Sequence, residues 1–174
     1  MKKQLLFLLT LLTIVVSSNS YAQANKLSEQ VKGDFNMKAT KKALDGFYYA
    51  AISDKKGRIK DKSKNLKAQA ELVKQQSGLA YNRTKQLIQW LKDDNLFLYV
   101  KSLEKLKSDF YSLNYAAKAM IDVCNWTIRS PKNARRNYKS VEKAFNKMAD
   151  KFNSIQKNKH NINNANLSLR YAKN

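Results

Sequence analysis

The sequence has very little of the residues that end helices. It contains one proline and four glycines among 174 residues, and this scarcity favours long uninterrupted helices over a sheet-rich fold. The only cysteine, Cys124, excludes an intrachain disulfide, so the fold must be held together by packing. Cys124 lies on an apolar stripe, which predicts a buried thiol that packs as a small hydrophobe. The alternative is a disulfide-linked dimer.

The residues from which catalytic and metal sites are built are equally scarce. His160 is the only histidine and lies in a polar segment, so no Cys–His nucleophilic pair and no zinc site is indicated. The sequence has no Cys-x-x-Cys-His haem motif and no glycine-rich phosphate loop. A noncovalent haem held by Met120, Met148 and His160 is a minor alternative. We therefore expect a non-enzymatic protein with no cofactor, no metal and no catalytic residues.

Acidic residues are also few, 13 against 34 lysines and arginines, which gives a formal charge of +21. The surplus is densest from Lys55 to Lys74 and from Arg129 to Lys159, mostly between the apolar positions. Such side chains form a solvated surface, or they attract an anionic partner such as an acidic protein, a membrane surface, a cell-wall polymer or nucleic acid. Nucleic acid is the least favoured of these, because the chain has an export signal and no DNA-reading motif.

The first residues have the organisation of an export signal. Lys2 and Lys3 precede an apolar stretch over residues 5–16, and Ser20-Tyr21-Ala22 forms a small-x-small cleavage site. The stretch is shorter than the roughly 20 residues that span a bilayer. We predict a signal peptide over residues 1–22, cleavage after Ala22, and a periplasmic or secreted protein of charge +19 with no transmembrane span.

Apolar residues then recur at helical spacing along most of the chain. The longest stripes predict helices over about 37–53, 59–92, 96–128 and 131–159, of which the second could end at Gly78. The 96–128 stripe carries Leu103, Phe110 and Met120 and has further apolar residues beside it, so this helix should be central and contacted from several sides. Asp93 and Asp94 are interpreted as a cap for it.

These patterns predict an all-α fold. We expect an elongated antiparallel helical bundle over residues 36–159, in which three long helices and a shorter first helix pack in a coiled-coil-like manner. Residues 23–35 are interpreted as a loosely ordered or partly helical lead-in. Residues 160–174 are interpreted as a polar tail. The tail alternates apolar and polar residues from Leu167 to Tyr171, and this alternation allows a strand that adds to a partner's sheet.

An export signal followed by a small, cofactor-free helical bundle resembles the minor pilus subunits of envelope machines. The likeness implies an interaction or assembly component of a secretion or conjugation apparatus, with a protein partner or an acidic envelope component and with the oligomeric state open. The first alternative is a periplasmic holding chaperone, since the small basic periplasmic chaperones share the signal peptide, the high pI and the long helical arms. The second is a secreted protein that binds polyanions.

The residues expected to contact a partner lie around the start of the fourth helix. They are basic side chains and one tryptophan, namely Lys132, Arg135, Arg136, Lys139 and Trp126. Trp90 and Trp126 flank the third helix, where they would cap the ends of the core. If exposed, they would instead be anchors for a partner.

Overall fold

The computed structural model describes residue 22, residues 24–53 and residues 55–171, apart from the side chain of Arg170. This part of the chain is all-helical, as predicted, and it contains no strand. Its α-helices pack against one another, and they are α1 (24–32), α2 (Met37–Ser53), α3 (Lys56–Asp93), α4 (Val100–Arg129), α5 (Ala134–Asn158) and α6 (His160–Tyr171). Short 3-10 turns, Phe97–Tyr99 and Pro131–Asn133, precede α4 and α5.

Helix α3 runs through Gly78 without a break. All ten positions of its predicted stripe are buried: Ile59, Ser63, Leu66, Ala70, Val73, Ser77, Ala80, Thr84, Leu87 and Leu91. The buried hydroxyls of Ser63, Ser77 and Thr84 each donate to the backbone carbonyl four residues earlier, at 2.7 Å. These bonds satisfy the hydroxyls within the helix, so a seam with polar members still packs as a dry surface.

Helix α4 packs mainly against α3 and α5 and is the central helix of the fold. Leu103, Phe110 and Met120 are fully buried, as the stripe predicts. The helix starts later than predicted, at Val100, because Asn95 takes a left-handed backbone (φ 57°) and Leu96 enters a 3-10 turn. The apolar residues keep their helical spacing across this turn, so the spacing alone did not reveal the later start of the helix.

The turns before α2 and α4 are stabilised differently. The Asp34 carboxylate accepts hydrogen bonds from the backbone N–H groups of Asn36 (3.0 Å) and Lys38 (3.3 Å), so it satisfies free donors at the start of α2. The prediction that Asp93 caps the next helix was wrong. Asp93 is the last residue of α3 and its carboxylate accepts from Gln89 at 2.8 Å, while the N-cap residues of the 3-10 turn and of α4, Leu96 and Tyr99, make no side-chain capping bond.

The segment before α2 is helical and packs on the core. Leu27, Val31 and Phe35 are buried, and the Phe35 ring lies 5.8 Å from that of Phe110 and 6.2 Å from that of Phe152. Phe35 takes a left-handed φ of 48°, a conformation that costs a large side chain roughly 1–2 kcal/mol. Burial of the ring between two helices offsets that cost.

Residues 160–171 also differ from the expected tail. They form α6, which buries Ile162, Ala165 and Leu169, and the Asn166 amide donates to Asn25 of α1 at 2.8 Å. The two-residue alternation over Leu167–Tyr171 is therefore not a strand. The buried residues are spaced by three and four, but the asparagines between them make this helical face hard to recognise in the sequence.

The predicted signal peptide lies outside the described residues except for Ala22, and residues 172–174 of the tail also lie outside them. None of the helices described here combines the length and the apolar character needed to cross a membrane.

Candidate interaction surface

The four basic residues singled out by the sequence share one exposed surface. Lys132 lies in the 3-10 turn before α5, and Arg135, Arg136 and Lys139 lie in the first turns of α5. Their spacing of three, four and seven residues puts them on one side of a helix, and all four are exposed. They can therefore meet a partner without any rearrangement of the core.

One of the four is fixed in place by a neighbouring helix. The Arg135 guanidinium donates from Nη2 to the carbonyl oxygen of Ile52 at 3.1 Å. Ile52 belongs to the last turn of α2, where backbone carbonyls lack partners within the helix and carry partial negative charge. The bond therefore ties the basic residues at the start of α5 to the end of α2.

Tyrosines cluster beside this contact. The ring of Tyr48 lies 4.9 Å from that of Tyr138 and 5.5 Å from that of Tyr49, and both Tyr48 and Tyr49 are exposed. We call Tyr48, Tyr49 and Tyr138 the tyrosine cluster. None of these three residues was predicted as part of the site. The available signal was the aromatic run Phe47-Tyr48-Tyr49, which is wider than one helical stripe.

Tyr138 stays neutral over a wide pH range. Burial of its phenol, the hydrogen bond that Glu142 accepts from the hydroxyl at 2.8 Å and the charge of Glu142 together raise the pKa of Tyr138 from 10.0 to about 12. The charges of Tyr48 and Asp45 act in the same direction. The tyrosine cluster is therefore an aromatic surface whose half-buried member, Tyr138, adds no charge near neutral pH.

Trp126 is exposed, so its predicted role as a cap on the core was wrong. Its side chain is 60% exposed, whereas Trp90 is half-buried and packs against the core. Tyr111 and Tyr115 lie on the same outward side of α4 and are also more than half exposed. The prediction that α4 is contacted on several sides holds for Ile121 and Val123, which are buried, and fails for these aromatics.

Cys124 lies on the opposite, buried side of α4. Its side chain is a free thiol without solvent exposure, as predicted. Burial, opposed by a smaller effect of the Lys67 charge, raises the pKa of the thiol from 9.0 to about 12. A neutral thiol without solvent access is a poor nucleophile and is not positioned to join two chains.

The residues considered for haem do not share an environment. His160 is exposed at the start of α6, whereas Met120 and Met148 are fully buried. In the ranges that the structure describes, no three His, Cys, Asp or Glu side chains come together as metal ligands would. The chemistry that this surface offers is recognition through cationic and aromatic side chains.

Comparison with other proteins gives no further assignment. No protein-family model matches this chain, and neither the curated proteins nor the solved structures give a match.

Proposed function

We propose that this chain is a non-enzymatic, exported binding protein that serves as an interaction or assembly component of a cell-envelope machine, such as a secretion or conjugation apparatus. The observation that supports this proposal best is the surface where α2 meets α5. There Arg135 and its basic neighbours lie beside the tyrosine cluster. Arginine and tyrosine are the side chains most enriched where binding energy concentrates in protein interfaces.

The arrangement of the helices supports an elongated antiparallel bundle as the scaffold. Residues late in α3 pair with residues early in α4, as Lys92 does with Glu104, while Asn114 donates to the carbonyl of Lys74 at 2.6 Å. Residues late in α4 pair with residues early in α5 in the same way. The 38 residues of α3 span about 57 Å at 1.5 Å per residue. Such a rod offers long flanks for contact.

Charge supports an acidic partner. The chain carries +21 before signal cleavage, so it attracts acidic surfaces and repels basic ones. The predicted signal peptide places the encounter in the periplasm or outside the cell. Binding of this kind weakens as salt is added, because exposed charges are screened over about 8–10 Å at physiological ionic strength.

Charge reversal tests the proposal directly. Lys132→Glu, Arg135→Glu, Arg136→Glu and Lys139→Glu should together abolish the capture of envelope proteins by the mature chain, measured by cross-linking and mass spectrometry. A control with Lys55→Glu, Lys56→Glu, Lys60→Glu and Lys64→Glu changes the charge by the same amount at exposed positions near the start of α3. It should retain the specific partners.

The two variants separate three results. Loss of capture only in the α5 variant supports a defined surface. Equal loss in both variants would mean that the charge acts non-specifically, and unchanged capture in both would refute the proposal. Circular dichroism on each variant checks that the helices remain.

A holding chaperone is the second candidate, and one observation favours it. Phe97 and Leu98 are strongly exposed in the turn between α3 and α4, at one end of that helix pair. Apolar residues at the tip of a helical arm could hold an unfolded client. A chaperone should suppress the aggregation of an unfolded outer-membrane protein, and an assembly component should not.

A further inference from the structure

The central helix presents a second surface made of aromatic and basic side chains. The exposed residues of α4 are Lys101, Lys105, Ser108, Tyr111, Tyr115, Lys118, Trp126 and Arg129. We call this set the outer face of α4. Its members recur at helical spacing, so they form one line along the helix, about 42 Å long at 1.5 Å per residue. The line contains three aromatic residues, four cations and no acid.

Three large aromatic side chains on the outer face of α4 are exposed to solvent. Tyr111, Tyr115 and Trp126 are 59%, 56% and 60% exposed, although the same helix buries its opposite side completely. Tyr115 and Trp126 are eleven residues apart, which is about three helical turns, so the row stays on one side of the helix. Exposed aromatic side chains on one face of a helix are typical of an interaction site.

Two of the three rings are held in position by neighbouring helices. The Tyr81 ring of α3 lies 6.0 Å from that of Tyr111, and the Lys147 Nζ of α5 lies over the Tyr115 ring, 5.8 Å from its centroid. Side chains that are already ordered lose less entropy on binding. The lysine lies over one face of Tyr115, which reduces the ring surface on which a nucleic-acid base could stack.

Acids near the outer face limit which anionic partner fits. Glu104 is half-buried and paired with Lys107 and Lys92, and Asp122 is half-buried on the same side of α4. A uniformly negative lipid surface would meet Asp122 unfavourably, whereas a polypeptide can place a basic side chain opposite it. A second copy of this chain would bring like charges together along the whole line.

We infer that the outer face of α4 is a docking site for an acidic amphipathic α-helix of a partner protein. This inference rests on the proposed function and names the partner's chemistry. Aliphatic residues of the partner helix lie against Tyr111, Tyr115 and Trp126, and its carboxylates pair with Lys101, Lys105 and Lys118. A helix of about 28 residues matches the length of the line.

Trp126 itself reports on docking. In a Trp90→Phe protein it is the only tryptophan, and its exposed indole should shift its emission to the blue when covered. The probe is a synthetic 28-residue peptide with leucines at heptad spacing and flanking glutamates. The competitors are a scrambled peptide of the same composition, vesicles of anionic phospholipid, and a single-stranded DNA oligonucleotide. We expect a saturable shift with the helical peptide and at least tenfold weaker binding of each competitor.

Matched variants in the Trp90→Phe background test the residues. Tyr111→Ser with Tyr115→Ser should weaken peptide binding at least tenfold. Leu167→Ser with Tyr171→Ser removes two exposed side chains at the same spacing on α6 and should change binding less than twofold. Circular dichroism confirms folding of both.

The inference is overturned if the scrambled peptide, the vesicles or the DNA bind as tightly as the helical peptide. It is also overturned if the two double variants behave alike. Neither result affects the test of envelope-protein capture through α5. Failure of the inference and failure of the proposed function are therefore distinguishable.

Discussion

The inner and outer sides of α4 differ in burial although both carry aromatic residues. Phe110 and Tyr111 are neighbours in sequence and nearly equal in size, yet Phe110 is 0% exposed and Tyr111 is 59% exposed. The difference comes from their angular position on the helix, since successive residues are rotated by about 100°. Apolar character alone therefore does not predict burial here. The inner side should determine stability, and the outer side should determine recognition.

Truncation of the neighbours at 110 and 111 should give the largest contrast. Phe110→Ala leaves a cavity among the rings of Phe35 and the surrounding core, and its free energy of unfolding should fall by about 3–5 kcal/mol. Tyr111→Ala should change it by less than about 1 kcal/mol, because an exposed ring loses few contacts. Urea denaturation followed by circular dichroism measures both. Similar losses would contradict the division of α4 into two sides.

The reactivity of cysteine thiols tests the same difference between the inner and outer sides of α4. Cys124 in the native protein should not react with iodoacetamide at pH 8 and should react once the chain is denatured, because its side chain is buried and its pKa is about 12. A cysteine placed on the outer side, Tyr111→Cys in a Cys124→Ala background, should react in the native state. Rapid labelling of native Cys124 would show that the inner side opens readily.

The raised pKa of Cys124 also predicts how stability depends on pH. The unfolded thiol ionises near its ordinary value of 9.0 and the folded one only near 12. Above pH 9 the unfolded chain releases this proton first, so the thiol's contribution to stability is complete below pH 9 and is lost as the pH rises towards 12. Cys124→Ala should lack this component of the decline, measured by thermal unfolding across that range.

The smallest expected effects concern two glycines inside helices. A Cβ on Gly46 would lie 3.6 Å from the Lys62 side chain, an ordinary contact, so Gly46→Ala should stabilise the fold by about 0.5–1 kcal/mol. A Cβ on Gly78 would lie 3.2 Å from the Asn114 amide, which is held by its bond to Lys74. Gly78→Ala should therefore raise the free energy of unfolding by less than Gly46→Ala does. A larger increase at Gly78 than at Gly46 would contradict this account of close packing.

The parts of the fold that followed from the sequence are those in which helical spacing is regular and the buried side is apolar. The ten-residue stripe of α3 and the bounds Met37–Ser53 are confirmed on that basis. The missed features depend on contacts between distant residues. Asp109, for example, is buried on α4 because Lys151 (3.0 Å) and Ser154 (2.6 Å) of α5 donate to it, and no local pattern announces such partners.

The candidate surface was predictable in part. Exposure of the four basic residues follows from their positions between the stripes of α5. The tyrosine cluster was not found, because its members come from α2 and α5 and only the folded chain brings Tyr48 next to Tyr138. Trp126 was interpreted either as a cap or as an anchor; its exposure in the folded chain contradicts the cap, and the anchor role stays a prediction.

The contact between α1 and α6 has a consequence for when folding of the chain can finish. Asn25 and Asn166 are joined across 141 positions of the chain, and Ser28 bonds to Asn163 in the same way. A polypeptide that crosses a membrane with its amino end leading would deliver α1 long before α6 arrives to cover it. Maturation would then finish only when the last helix is released, and until that moment the newly delivered end would be accessible to proteases and to other chains.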